Sequence, residues 1–230
     1  MVRTSSLLAA LAVVGMASSA FAFTSGNVVT NGGAESGNLT GWTFTPAAGG
    51  GAINVDSGIY AGATNYGTPH SGGYIFVGEY LGGRTGSLNN GGTMTQTISL
   101  ASIPGISMAQ IATGAGSAAF GIYERNSATA DYATASLTFL DSNSAAIGSP
   151  VATPNMLSNG SWANYTLAPA IPANAKSILV SVSLVHQSGN FLDSAVDDVS
   201  LAVSHPDVVP EPASLSLLGL GALALLRRRR

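Results

Sequence analysis

The chain has 230 residues, of which 46% are hydrophobic and only 8% charged, against about a quarter charged in ordinary soluble domains. Residues 23–209 hold three basic and ten acidic side chains, a formal charge of −7. That balance argues against nucleic acid as a partner, because phosphate binding needs Lys and Arg. There is no cysteine, so packing alone, or packing helped by a metal, must hold the fold.

The chain opens with Met1-Val2-Arg3, an apolar run over Leu7 to Val14, and the small-residue site Ala20-Phe21-Ala22. This order is that of a secretory signal, and cleavage after Ala22 would leave Phe23 first. The apolar run is too short to span a bilayer. The expected organisation is therefore a signal peptide at 1–22, a β-domain at 23–204, a linker at 205–209 and a C-terminal signal at 210–230.

Alternation marks the strands of the middle segment, and amphipathic helix periodicity is nearly absent. The stretch 49–92 is glycine-rich and holds Tyr60, Tyr66, Tyr74 and Tyr80. It reads as strands near Ile53–Val55 and Tyr74–Gly78 joined by long loops. Loops on a rigid sandwich are where binding residues gather; the tyrosines read equally well as cover for the core edge. From Met94 to Leu100, Met94, Ile98 and Leu100 share one face. Ser136–Leu140 is a strand, Asp141-Ser142-Asn143-Ser144 has turn chemistry, and a partner strand follows near Ala146–Val151. Ile178, Val180, Val182 and Leu184 face one way, and Val199, Leu201 and Val203 line the last strand. Short strands with polar turns at this spacing predict an all-β, antiparallel β-sandwich with helix only at the two ends. The sequons at Asn38, Asn159 and Asn164 carry no weight in so Ser/Thr/Asn-rich a chain.

The end reads Val209-Pro210-Glu211-Pro212, the apolar stretch Ala213 to Leu226, and Arg227, Arg228, Arg229 and Arg230. At 14 residues the stretch is short of the ~20 that span a bilayer comfortably. The arginines snorkel and mark the cytoplasmic side. The prolines keep the preceding segment extended. This three-part tail resembles the PEP-CTERM sorting signal. The resemblance implies recognition by an exosortase, a membrane peptidase, with transient anchoring in the inner membrane of a Gram-negative bacterium. Delivery to the cell surface or an exopolysaccharide matrix would follow.

A second resemblance joins two distant stretches. Asn31-Gly32-Gly33-Ala34-Glu35, followed by Gly41-Trp42, pairs with the closing Asp197-Asp198-Val199-Ser200-Leu201. Together with Leu137–Asp141, Trp162–Thr166 and Ile171-Pro172-Ala173, they resemble the galactose-binding-like jelly rolls, a group that includes many carbohydrate-binding modules. Ala34 departs from the pattern, which often has an aromatic there. The resemblance implies a structural calcium ion between Glu35 and Asp197 or Asp198, with loop carbonyls completing the 6–8 oxygens calcium takes. The alternative stands beside it: Glu35 caps a turn and the aspartates begin a surface strand. Trp42 and Trp162 read as core residues or as sugar-stacking rings.

Catalytic signals are missing. His70, His186 and His205 have no zinc spacing, and there is no nucleophile elbow or phosphate loop. His70 reads as a solvated loop residue and His205 as part of the linker. Glu79 and Glu124 are carboxylates that a glycosidase pair would need. The expectation is a non-enzymatic surface or matrix protein that associates with exopolysaccharide or other surface glycans. A structural or adhesive protein acting by protein–protein association is the alternative, and an extracellular glycan hydrolase the third.

Overall fold

Small polar residues alternate with branched apolar ones through the middle of the chain, and that period of two puts one face of each strand in a core and one in water. The computed structural model describes residues 22–48, 50–57, 68–78, 90–126, 130–188 and 192–206. Eleven strands are formed among them: β1 Ala22–Thr24, β2 Thr43–Pro46, β3 Asn54–Asp56, β4 Ile75–Val77, β5 Gly91–Ser99, β6 Ser117–Asn126, β7 Tyr132–Leu140, β8 Val151–Ala152, β9 Ala163–Leu167, β10 Ser177–Val185 and β11 Ser194–Pro206. They make two antiparallel sheets. One has six strands in the order β3-β4-β11-β6-β9, with β1 also on β11; the other has five, in the order β2-β5-β10-β7-β8. Residues 22–206 form one compact unit.

The core lies between the sheets. Met94 and Ile98 of β5, Leu137 of β7, Val180 and Leu184 of β10, and Phe120, Ile122, Leu201 and Val203 of the other sheet all belong to one buried cluster. Val199, Leu201 and Val203 face inward as their alternation requires. The segment after Asp141 pairs less than expected: Ala146 makes an isolated bridge to Leu140, and regular pairing resumes only at β8. Two short helical turns interrupt the β-structure among the described residues, a 3-10 turn at Leu100–Ser102 and α1 (Met108–Ile111); the second is capped. It forms because the Ser107 hydroxyl accepts from the Gln110 N–H and so caps a turn too short to survive alone. Strand β11 runs through Pro206, so His205 lies in the sheet rather than in a linker. Its ring is buried and stacks on Phe23, 5.5 Å between centroids.

Two polar residues fasten the chain's beginning. Gln96 faces inward with the apolar side of β5; its amide accepts from Thr30 N at 2.8 Å and donates to Thr30 O and Gly41 O. Asn31 takes a left-handed conformation (φ 53°) and closes the turn: its side chain donates to Asn38 O and Thr40 O and accepts from Ser36 N. Trp42 then reaches back, Nε1 to Asn31 O, and is buried in the core. The next residue, Gly32, lies against β11: Val199 N donates to Gly32 O at 3.0 Å, and any Cβ on Gly32 would clash with the Val199 carbonyl. The Asn-Gly opening is therefore a close-approach point that side chains cannot occupy.

Candidate functional site: a carboxylate cluster and a hydroxyl face

The first turn and the last strand meet where the sequence pairs them. Asp197 pairs with Tyr123, but Ser200 pairs with Gly121, so β11 carries an extra residue there. Asp198 takes the left-handed conformation, φ 48°. A bulge of this kind re-aims side chains. Segment 68–74 crosses the bulge. Asp197 Oδ2 accepts from His70 N and Ser71 N at 2.9 and 3.1 Å, and Asp198 N donates to Asp197 Oδ1 at 2.7 Å. Asp198 takes the side chains: Ser71 Oγ on Oδ1 and His70 Nδ1 on Oδ2, both at 2.6 Å. Glu35 accepts from Gly73 N and Tyr74 N at 3.0–3.1 Å. The acids thus collect the backbone donors of one loop. Asp197 is fully buried, and burial pushes its carboxyl up to about 6 against the N–H groups that favour its charge.

Asp197 and Asp198 face Gly33, and the stem of Glu35 passes beside it. A Cβ there would stand 3.3 Å from Asp198 Oδ1, 3.6 Å from Asp197 Oδ1 and 3.8 Å from Glu35 Cγ. The missing side chain leaves a cradle with two aspartate oxygens facing it. Both oxygens already accept hydrogen bonds, from Ser71 Oγ and Asp198 N. Glu35 joins them only by turning from Gly73 and Tyr74, and among the described residues no three His, Asp or Glu side chains converge as they stand.

His70 is an exposed loop residue as expected, but its ring is engaged. Its ring stacks on Tyr123 at 3.5 Å and meets Trp162 edge-on at 6.1 Å. Trp162 lies outside the main core: half-buried, it covers Ile75, Val77 and Ala195 on the outer face of the six-stranded sheet, with Nε1 donating to Thr68 O. Of the four tyrosines considered as ligand contacts, Tyr74 is exposed beside Glu35; Tyr60, Tyr66 and Tyr80 lie outside the described residues, as do Glu79, Ala20, Pro210, Glu211, Pro212 and Arg227–Arg230. Glu124 faces inward and is fully buried, with one oxygen accepting from Ser194 Oγ.

The surface that strand-by-strand reading missed belongs to the five-stranded sheet. Its outward positions are Thr93, Thr95, Thr97 and Ser99 on β5, Ser177, Leu179, Ser181, Ser183 and Val185 on β10, and Tyr132, Thr134, Ser136 and Thr138 on β7. The register sets them in rows: Thr43, Thr95, Ser181 and Ser136 in one, Thr45, Thr93, Ser183 and Thr134 in the next. Thr93 and Ser183 hydrogen-bond across the strands at 2.8 Å. No outward position of these three strands carries a charge. Alternation in each strand signalled a polar face; only the register reveals that the hydroxyls line up.

The PEP-CTERM protein-sorting motif matches residues 208–230. No curated protein matches the chain. Among solved structures, the fold is similar to the enzymatically active domain of bacteriophage CBA120 tailspike protein 4, at 18% identity and a TM-score of 0.53 over 76% of this chain. The match spans 21% of that chain, about a fifth of its length. It is similar to TmCBM61 in complex with β-1,4-galactotriose at 17% identity and a TM-score of 0.51, covering 76% of this chain and 97% of that one. It is also similar to a cyclase from Fischerella sp. TAU at 12% identity and a TM-score of 0.50, covering 79% and 98%. At these identities the likeness is one of fold: a carbohydrate-binding-module-like jelly roll. The sorting motif indicates export and membrane-anchored sorting. Among the described residues no helix is long and apolar enough to cross a membrane.

Proposed function

For a chain that joins a PEP-CTERM sorting motif to a carbohydrate-binding-module-like jelly roll, we propose a non-catalytic, exported surface protein that associates with neutral exopolysaccharide. Its tail is read by an exosortase-type peptidase, and the domain is delivered to the cell surface or matrix. The observation that carries the sugar reading is the five-stranded sheet's outward face, where hydroxyls stand in register without a charge among them. Such a face exchanges hydrogen bonds with water for hydrogen bonds with a hydroxylated polymer at little desolvation cost, since no ion is buried. Each contact is weak, and repetition along a polymer supplies the avidity.

Affinity electrophoresis of the exported protein through gels containing neutral glycans, or the producing organism's own polysaccharide, tests this. Retardation is expected, and Ser181→Glu, which sets a charge in the middle of the face, should weaken it at least about tenfold by burying an unpaired charge against the polymer. Migration unchanged by every glycan would overturn the reading and leave association with other proteins.

Calcium belongs to the same proposal as a staple. Asp197 and Asp198 would hold it over Gly33, with Glu35 joining once it turns from Gly73 and Tyr74, and it would supply positive charge beside the two aspartates. It would stabilise the join of the first turn to β11, where no disulfide exists. Adding EDTA to the purified protein should lower its melting temperature, and calcium should restore it; occupancy at 100 times Kd is worth about 2.7 kcal/mol. An unchanged melt would sink the staple.

A further inference from the structure

The outer face of the six-stranded sheet carries a groove of about 380 Å³ that none of this uses. It exists because one side chain is missing. Ser200 of β11, Gly121 of β6 and Thr166 of β9 are cross-strand neighbours, so the row dips at Gly121. The adjoining row, Ala202 and Ala119, is small and apolar, and both residues line the groove with Gly121. Its rim is polar. Asn164 reaches over the dip, its Oδ1 3.9 Å from where a Gly121 Cβ would stand. Asn164 and Thr166 are exposed, and neither side chain is engaged in a hydrogen bond with the described residues. At one end stands the Tyr123 ring, braced by His70. Beside it the strained Asp198 is already held by His70 and Ser71.

We propose that this groove is a second ligand site, and that it takes a neutral sugar ring. A pyranose has apolar C–H faces and a polar edge. The Ala119–Gly121–Ala202 floor suits the first; the Asn164 amide and the Thr166 and Ser200 hydroxyls suit the second. The lining holds no Lys or Arg for a uronate or a phosphate, and its one carboxylate opposes an anion. The volume falls in the range of small-molecule sites. The non-glycine left-handed residue at the groove's edge is the kind of strain that collects at binding sites. This site and the hydroxyl face lie on opposite sheets of the sandwich. One domain therefore holds two glycan chains and cross-bridges them, a role for a matrix protein that a single site does not give. The ligand's chemical class and the cross-bridging rest on the glycan reading above; the groove as a site does not.

The test uses the exported protein and its Gly121→Val variant. Valine fills the dip; its Cβ is crowded by the Ser200 hydroxyl, at 3.0 Å, which must give up its weak bond to Gly121 O, and touches Asn164 Oδ1 at 3.9 Å. Asn164→Ala removes the exposed amide without filling anything. The probes are β-1,4-galactotriose and cellotriose, with trigalacturonate as the anionic counterpart, and turbidity of a neutral polysaccharide reports cross-bridging. Calorimetry should find two sugars per wild-type chain and one in Gly121→Val. Asn164→Ala should weaken the groove's affinity at least fivefold. Wild type should cloud the polysaccharide, whereas Gly121→Val should bind it without clouding. The idea is overturned if Gly121→Val keeps wild-type stoichiometry and clouding, if Ser181→Glu loses all binding, or if trigalacturonate is preferred. A wild type that binds no neutral sugar overturns this site and the glycan reading together. A Ser181→Glu protein that behaves as wild type, while Gly121→Val loses all binding, overturns the hydroxyl face and the cross-bridging but leaves the groove as the sugar site.

Discussion

Asp131→Ala should cost roughly 3–5 kcal/mol, the largest loss expected from any single polar residue of this domain. Asp131 stands just before β7 and is almost fully buried. Its Oδ1 accepts from Gln187 N at 2.7 Å and Ser188 N at 3.3 Å, and its Oδ2 from Asp193 N at 2.8 Å. One carboxylate therefore ties down both sides of the connection between β10 and β11. Asn126 Nδ2 donates to the Asp131 carbonyl, so β6 is tied to the same point. Alanine takes the acceptor from three part-buried backbone donors, and each donor left without a partner costs about 1–3 kcal/mol. Urea denaturation measures it: the midpoint should fall with the slope unchanged. Asp131→Asn keeps one acceptor oxygen and should lose about half as much. A midpoint for Asp131→Ala within error of wild type would mean that water reaches these donors.

The second large effect is a dependence on pH. Glu124 sits between the sheets with Phe120 and Ile122 on its own strand. Burial pushes its carboxyl from 4.5 to about 7, although the Ser194 hydroxyl that donates to it and the neighbouring Ser158 pull the other way. An unfolded chain ionises this group near its ordinary value, whereas the folded chain keeps it neutral until about 7. Across that window the unfolded state binds fewer protons. Stability is therefore greatest below the ordinary value, falls as pH rises through the window, and levels off above it. The cost at the top is on the order of 3 kcal/mol. Glu124→Gln keeps the shape and cannot ionise. Its melting temperature relative to wild type should climb by roughly 5–10 °C between pH 4.5 and pH 7.5. Comparing the two proteins cancels Asp197, which titrates in both. A difference that stays flat across the window would mean that Glu124 is hydrated or finds a cation when charged.

Neither acid stood out in the sequence for what it does. Glu124 alternates with Ile122 and Phe120 on the inward side of β6, so its burial was legible in principle from period two. Its neighbours Ser194 and Ser158 come from β11 and from the segment before β9, distances no local pattern encodes. Gln96 is a similar case: one position in the apolar side of β5 is polar, and only the packed turn at Thr30 and Gly41 explains why. The Asn31–Trp42 opening and the Asp197-Asp198 closing were legible through their resemblance to galactose-binding-like jelly rolls, which brings the first and last strands together. The bulge at Asp198, and segment 68–74 supplying the donors to these acids, were not.

The sequence by itself determined the tail, with its ordered Pro-Glu-Pro, apolar and arginine parts, and the strands, because both are read from neighbours along one chain. It determined the sandwich too, since alternation without helical periodicity leaves few ways to bury one face of each strand. Only the tertiary structure laid out the two surfaces on which the binding proposals rest. The rows of hydroxyls on one sheet and the dip at Gly121 on the other arise from cross-strand register, which sets side by side residues dozens of positions apart. Register depends on how every strand packs at once, and no single stretch of sequence contains it.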